Sequence, residues 1–354
     1  MRLIRPLYVA RLLALLLAIG VLVPSAVAQA ATKKKPSSTT TSRLTTRKTV
    51  YSASASQARR ARLARARAAA RAREQARLRV LQEAMTPRYK TDATGAVVPD
   101  VRAAAAIIFN PETGQVLWEE NAQDKRSIAS ITKVMTALVF LEDNPDLSRE
   151  ITIERSDVYA ASTTYLRANE RIKLDEVLHL TLIASDNAAA RSLSRVSHGG
   201  TASFVERMNE KAIELGLEST SFADPSGLNP ANISSAYDLS RLITFASADE
   251  RIGPIMRTAS YTAHTARRAI TIRNTNHLVR EGSVDVLGGK TGFISKAGYC
   301  LATLLRLPQS NHQVAVVVLG AGSNNGRFWE TRHLFNWLSE KAADVFAKDQ
   351  DQGQ

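Results

Sequence analysis

One cysteine and six histidines are all that 354 residues offer in thiolate and imidazole metal ligands and in covalent cross-links. Cys300 has no partner for an intramolecular disulfide. Its apolar surroundings, Tyr299 to Leu305, read as a strand holding a buried core thiol. The histidines show no His-Glu-x-x-His or comparable spacing, so a metallopeptidase is disfavoured and neither metal nor cofactor is expected. Long apolar runs are missing too, apart from Leu12 to Val23 near the start. Acids are scarce in one region only. Residues 31–90 hold 17 Lys plus Arg against two Glu, whereas residues 91–354 hold 27 bases against 31 acids. The net charge of +14 therefore resides in the N-terminal quarter, and the remainder is mildly acidic.

What is present divides the chain into four. Residues 1–30 read as a secretion signal: Arg2, Arg5 and Arg11 precede the apolar run, Pro24 ends it, and Ala26-Val27-Ala28 and Ala28-Gln29-Ala30 suit cleavage. An uncleaved anchor is the alternative, and either way the rest is expected to be exported. Residues 31–97 form a basic segment. Its Ser/Thr/Lys-rich first part lacks the apolar residues needed to fold. Residues 56–85 are Ala- and Arg-rich and suit a helix about 45 Å long. Such a helix is either a solvated spacer or a tether to anionic membrane or wall polymer; export makes nucleic acid an improbable partner. Residues 98–347 suffice for a substantial globular domain, and 348–354 are expected to be disordered.

In that domain, Ala103 to Phe109 and Val116 to Glu119 flank Asn110-Pro111-Glu112-Thr113-Gly114 and predict a hairpin. Ile131, Val134, Met135, Leu138 and Leu141 recur at helical spacing, in a helix starting at or near Ser130. Ser203 with Glu206 predicts a capping box for a helix stopping at Gly216, and Ser235 with Asp238 opens another. Val284 to Leu287, Tyr299 to Leu305 and Val314 to Leu319 read as strands, and Trp329 to Phe346 as a closing helix. Strands at both ends with helices between predict an α/β fold of the α+β type. One antiparallel sheet is built from both ends of the domain, with a helical lobe inserted.

Three short motifs occur in fixed order: Ser130-Ile131-Thr132-Lys133, Ser185-Asp186-Asn187 and Lys290-Thr291-Gly292. Each alone is commonplace. Together they are selective, since Lys133 is the only lysine preceded at three positions by Ser, and Lys-Thr-Gly occurs once. Ser130 and Lys133 would share a helix face. A Ser hydroxyl needs an adjacent base, and Lys133 serves only if burial, with Lys290 as a second cation nearby, lowers its pKa. A helix N-terminus at Ser130 adds donors for an oxyanion. Ser185 and Asn187, at a junction between helices, could relay a proton to a leaving amine and hold a substrate amide; Asp186 has the character of an N-cap. Lys290 and Thr291 suit a substrate carboxylate, and Gly292 permits close approach of another backbone to a strand that could pair with a peptide.

These motifs resemble those of low-molecular-mass penicillin-binding proteins, the serine D,D-peptidases of peptidoglycan. The resemblance extends through Ala129 to Ala137, Asp224-Pro225-Ser226-Gly227-Leu228, and Lys290 to Ile294 with Ala297-Gly298-Tyr299, over roughly residues 98–345. It implies a β-lactamase/transpeptidase-like fold. It also implies acylation of Ser130 by the penultimate D-Ala carbonyl, Lys133 as general base, and Ser185, Asn187 and Lys290 completing the catalytic set. The oxyanion hole would be the backbone N–H groups of Ser130 and Phe293, with Thr291 and Gly292 in substrate binding. β-Lactams would trap Ser130. Asn274 to Arg280, Lys290 to Ile294 and the short C-terminus resemble the D-alanyl-D-alanine endopeptidase branch, which cuts D-Ala–diaminopimelate cross-links in the periplasm. A D-alanyl-D-alanine carboxypeptidase is the nearest alternative, and a non-catalytic peptidoglycan-binding protein a further one. A class A β-lactamase is disfavoured because no Glu lies between Glu218 and Glu250.

Overall fold

The computed structural model describes residues 53–308 and 311–351. The signal expected at 1–30, residues 31–52 of the basic segment and residues 352–354 lie outside the described residues. Two compact units divide the chain, Met1–Arg67 and Ala68–Gln354. Ala53–Met85 is one helix with arginine all round it, solvent-exposed from residue 57 to 83. Its C-terminal carbonyls receive a cation, as the helix dipole favours: Arg102 donates to Glu83 O at 2.6 Å and to Ala84 O at 3.5 Å.

Ordered tertiary structure starts ahead of the boundary expected at residue 98. Tyr89–Thr91 pairs antiparallel with Val97–Pro99. His333 Nε2 lies 2.8 Å from Arg88 O, its ring meets Tyr89 edge-on at 5.0 Å, and Arg88 pairs with Asp100 at 3.1 Å. A two-stranded hairpin is marginal alone; docking on the C-terminal helix holds this one.

The central sheet has five antiparallel strands, in spatial order Asp285–Ile294, Gly298–Arg306, Gln313–Ala321, Ala105–Phe109 and Val116–Glu120. Both ends of the domain thus meet in one sheet, as the pattern predicts. Alternation sorts the side chains between two cores. Val314, Val316 and Val318 face the C-terminal helix with Phe328, Leu334 and Leu338. Ala315, Val317 and Leu319 face the helical lobe with Val134, Leu182 and Leu239. Burial on both faces explains why these strands read as unbroken apolar runs. It contributes about 1.5–3 kcal/mol for each fully buried Val or Leu.

The lobe holds Lys133–Glu142, Leu174–Ile183, Asn187–Val196, Gly200–Glu214 and Ala236–Ala248. Two local expectations change, at Ser203 and at the closing helix, and one holds, at Ser235. Gly199, with φ +75°, opens the Gly200–Glu214 helix, so Ser203 sits inside its first turn and caps nothing. Ser235 caps as expected, accepting from Asp238 N at 3.0 Å, and the Asp238 carboxylate accepts from Ser219 N and Thr220 Oγ1. The closing helix runs Asn324–Asp351 rather than Trp329 to Phe346, so residues 348–351, expected to be disordered, are helical.

Candidate active site

Ser130 does not begin an α-helix. It lies in a 3-10 turn, Ala129–Thr132, that leads into Lys133–Glu142. The i,i+3 eclipse of that turn brings Lys133 Nζ to 3.0 Å from Ser130 Oγ. The turn is gripped from two sides. Gly292 of the edge strand comes so close that a Cβ there would lie 2.5 Å from Ile128 O and 3.2 Å from Ser130 N. Gly227, at φ +80°, would place a Cβ 2.0 Å from Ala129 O. The close approach that Gly292 permits is therefore to the chain carrying Ser130.

Lys133 is fully buried. Its ammonium reaches two acceptors besides Ser130: Asn187 Oδ1 at 2.6 Å and the Ser226 carbonyl. Burial pulls its pKa from 10.5 down to about 7, against the opposing pull of Asp224 and Asp186. Lys290 does not figure among the causes, contrary to the sequence expectation. The influence runs the other way: burial first, then the Lys133 charge and Arg327, hold Lys290 well below an ordinary lysine.

The middle motif turns between Leu174–Ile183 and Asn187–Val196. Ser185 takes a left-handed φ of +59° and presents its hydroxyl to Lys290 Nζ at 2.7 Å. Asn187 bridges, accepting from Lys133 and donating Nδ2 to Ala161 O at 2.7 Å. Asp186 exceeds the capping role expected of it. Besides accepting from Ala189 N at 3.0 Å, it takes Tyr165 N at 2.6 Å and Thr164 Oγ1 at 3.0 Å, tying a second loop to the helix start. Burial pushes its pKa up.

On the edge strand, Lys290 also donates to Thr291 O at 3.0 Å, and Thr291 Oγ1 to Thr275 Oγ1 at 2.6 Å. A cleft of about 420 Å³ opens over these groups, lined by Ser130, Ser185, Asn187, Thr291, Gly292 and Phe293 among others. Lys133 and Lys290 are buried and do not line it, but they bond the lining hydroxyls of Ser130 and Ser185. Every site residue marked in the sequence thus converges on one cleft.

Others carried no role in the sequence reading. Asp224 is the hub of the 224–229 loop, accepting from Ser226 N, Ser226 Oγ, Gly227 N and Asn229 N at 2.5–2.8 Å. It thereby fixes the Ser226 carbonyl on Lys133; Asp224-Pro225-Ser226-Gly227 was the available signal, as an Asx-type turn. Arg327, from the C-terminal helix, lines the cleft and donates to Gly292 O at 2.9 Å and Cys300 O at 3.1 Å. No sequence pattern marked it. Cys300 is buried, with its thiol pKa pushed up to about 11, and does not line the cleft.

A buried amine on a serine, in a cleft between a helical lobe and the edge of an antiparallel sheet, defines a penicillin-binding type of serine hydrolase. The comparisons narrow this. The peptidase S11 family, D-alanyl-D-alanine carboxypeptidase, matches residues 92–323, and the chain belongs to that family. It is similar to a D-alanyl-D-alanine endopeptidase of Escherichia coli K12, 34% identical over 250 residues, 70% of this chain and 80% of that one. The carboxypeptidase DacF of Bacillus subtilis 168 is 32% identical over 236 residues, 64% of this chain and 59% of that one. The crystal structure of the Streptomyces K15 DD-transpeptidase matches with a TM-score of 0.64 at 29% identity, covering 68% of this chain and 98% of that one.

Proposed function

We propose that this protein hydrolyses D-alanyl peptide bonds of exported peptidoglycan through an acyl-enzyme on Ser130, acting as an endopeptidase on D-Ala–diaminopimelate cross-links. The observation that carries the reading is the bonding of Lys133. A neutral amine has two N–H bonds and one lone pair. Asn187 Oδ1 and the Ser226 carbonyl can only accept, so they take both N–H bonds. The lone pair is left for the hydroxyl of Ser130, 3.0 Å away.

Ser130 Oγ attacks the D-Ala carbonyl carbon and passes its proton to Lys133 Nζ. The carbonyl oxygen becomes an oxyanion facing the N–H groups of Ser130 and Phe293. Collapse breaks the C–N bond, and the amine leaves with a proton relayed through Ser185, which Lys290 orients. Water then attacks the Ser130 ester by the reverse proton route and frees the serine. Asn187 holds both the base and a substrate amide, Thr291 takes the carboxylate beside the cut bond, and a β-lactam acylates Ser130 without a departing amine.

The endopeptidase-named relatives support the cross-link as substrate. Purified protein is to be incubated with defined muropeptides and with fluorescent penicillin. Conversion of cross-linked dimers to monomers is expected. Release of terminal D-Ala from pentapeptides, with dimers untouched, would favour the carboxypeptidase named in the family description. Failure of penicillin to acylate the wild-type protein would favour a wall-binding role.

A further inference from the structure

A second cavity, of about 460 Å³, adjoins the cleft and shares Thr275 and Arg327 with it. Its walls include three guanidinium groups, Arg273, Arg280 and Arg327, together with His277, and no carboxylate. Arg273 and Arg280 are exposed and carry no ion pair or side-chain hydrogen bond among the described residues. The nearest acid in the sequence, Glu281, is engaged by Arg332. Arg327 keeps a buried Nε without a partner. The His277 ring stacks on Phe328 at 4.4 Å, and burial, followed by the charge of Arg280, disfavours its protonation.

The position of this annex relative to the cut bond follows from Thr291. In the proposed reaction Thr291 meets the carboxylate of the residue whose amine departs. Its hydroxyl donates to Thr275, which could return the bond once that proton turns to a carboxylate, and Thr275 forms the shared wall. Moving from Ser130 past Thr291 and Thr275 leads to Arg273 and Arg280, on the leaving-group side. A departing D-alanine has one carboxylate and ends at Thr291. A departing stem peptide has that carboxylate, on diaminopimelate, and further ones beyond it.

We infer that this arginine-lined annex binds the distal carboxylates of the departing stem peptide and so selects cross-links over terminal D-alanine. The inference rests on the peptidase reading above and deepens it. Guanidinium groups suit the task because they bind carboxylates in bidentate fashion and stay charged. Flanking exposure makes the attraction sensitive to salt.

The test compares the full-length wild type with Arg273→Glu/Arg280→Glu and Arg273→Lys/Arg280→Lys on a cross-linked muropeptide dimer, a pentapeptide monomer and fluorescent penicillin. For the reversed pair, kcat/KM on the dimer is expected to fall about tenfold or more, chiefly through KM. Penicillin acylation and monomer trimming stay at wild-type rates, and the Lys pair retains most dimer cleavage. Should the reversed pair lose acylation, Arg273→Gln/Arg280→Gln carries the same comparison. Equal loss on dimer and monomer, or no loss on either, overturns the annex alone. A wild type that leaves dimers intact overturns the peptidase reading and the annex with it.

Discussion

At the scale of single residues, the site turns on an amine kept from its ordinary charge. Lys133 is a base only when neutral, and burial sets its pKa at about 7 instead of 10.5. Acylation by penicillin should therefore rise with pH, about tenfold per unit below 7, and level off above it. A stopped-flow pH profile checks this; a rise continuing past pH 9 would show an ordinary lysine. Ser130→Ala removes the proposed acyl acceptor, and fluorescent penicillin should then leave no covalent label on a gel. Residual label would identify another nucleophile. These two residues were readable in advance because helical geometry puts positions three apart in contact whatever surrounds them. The agent that depresses the amine was readable only in part. Burial and Lys290 were both expected to lower it; burial does, and Lys290 has no part.

At the scale of elements, the decisive feature is how tightly the 3-10 turn of Ser130 is clamped. Gly227→Ala would place a methyl group 2.0 Å from Ala129 O and force an L residue into a left-handed φ of +80°. Stability should drop by at least about 2 kcal/mol, read as a lower denaturant midpoint. Acylation should slow beyond that loss, since the displaced groups are the carbonyl beside Ser130 and the neighbouring Ser226 carbonyl that fixes Lys133. Unchanged acylation would mean that the clamp is only structural. The hairpin at Ala105–Phe109, the helix at Ala236–Ala248 and the C-terminal strands were legible from turn residues and apolar period. The start of Gly200–Glu214 was misread: Ser203 and Glu206 have capping-box spacing, but the left-handed Gly199 starts the helix sooner.

For the whole molecule, the charge asymmetry sets a basic segment, either a spacer or the proposed electrostatic tether, apart from the mildly acidic domain. The Arg-rich helix has no apolar face, so any attachment through it would be Coulombic. Removing residues 31–79, which spares the Arg102 contact at Glu83, should leave acylation unchanged. It should reduce co-sedimentation with insoluble peptidoglycan or anionic vesicles at low salt, with the difference shrinking as salt rises. Equal sedimentation at every salt concentration would make the segment a spacer. Among the described residues, no helix is long and apolar enough to cross a membrane.

The sequence alone determined the sheet built from both ends of the domain, the inserted lobe and the three motifs of the proposed reaction. Hydrophobic period and short-range spacing are local properties, and a chain displays them before it folds. Tertiary structure alone decided which groups complete the site: the carbonyl of Ser226, the carboxylate of Asp224 that aims it, Thr275, and Arg327 arriving from the last helix. A main-chain acceptor has no side-chain signature, and contacts between distant positions exist only once packing has brought those positions together. The bonding that directs the Lys133 lone pair at Ser130 is of that second kind.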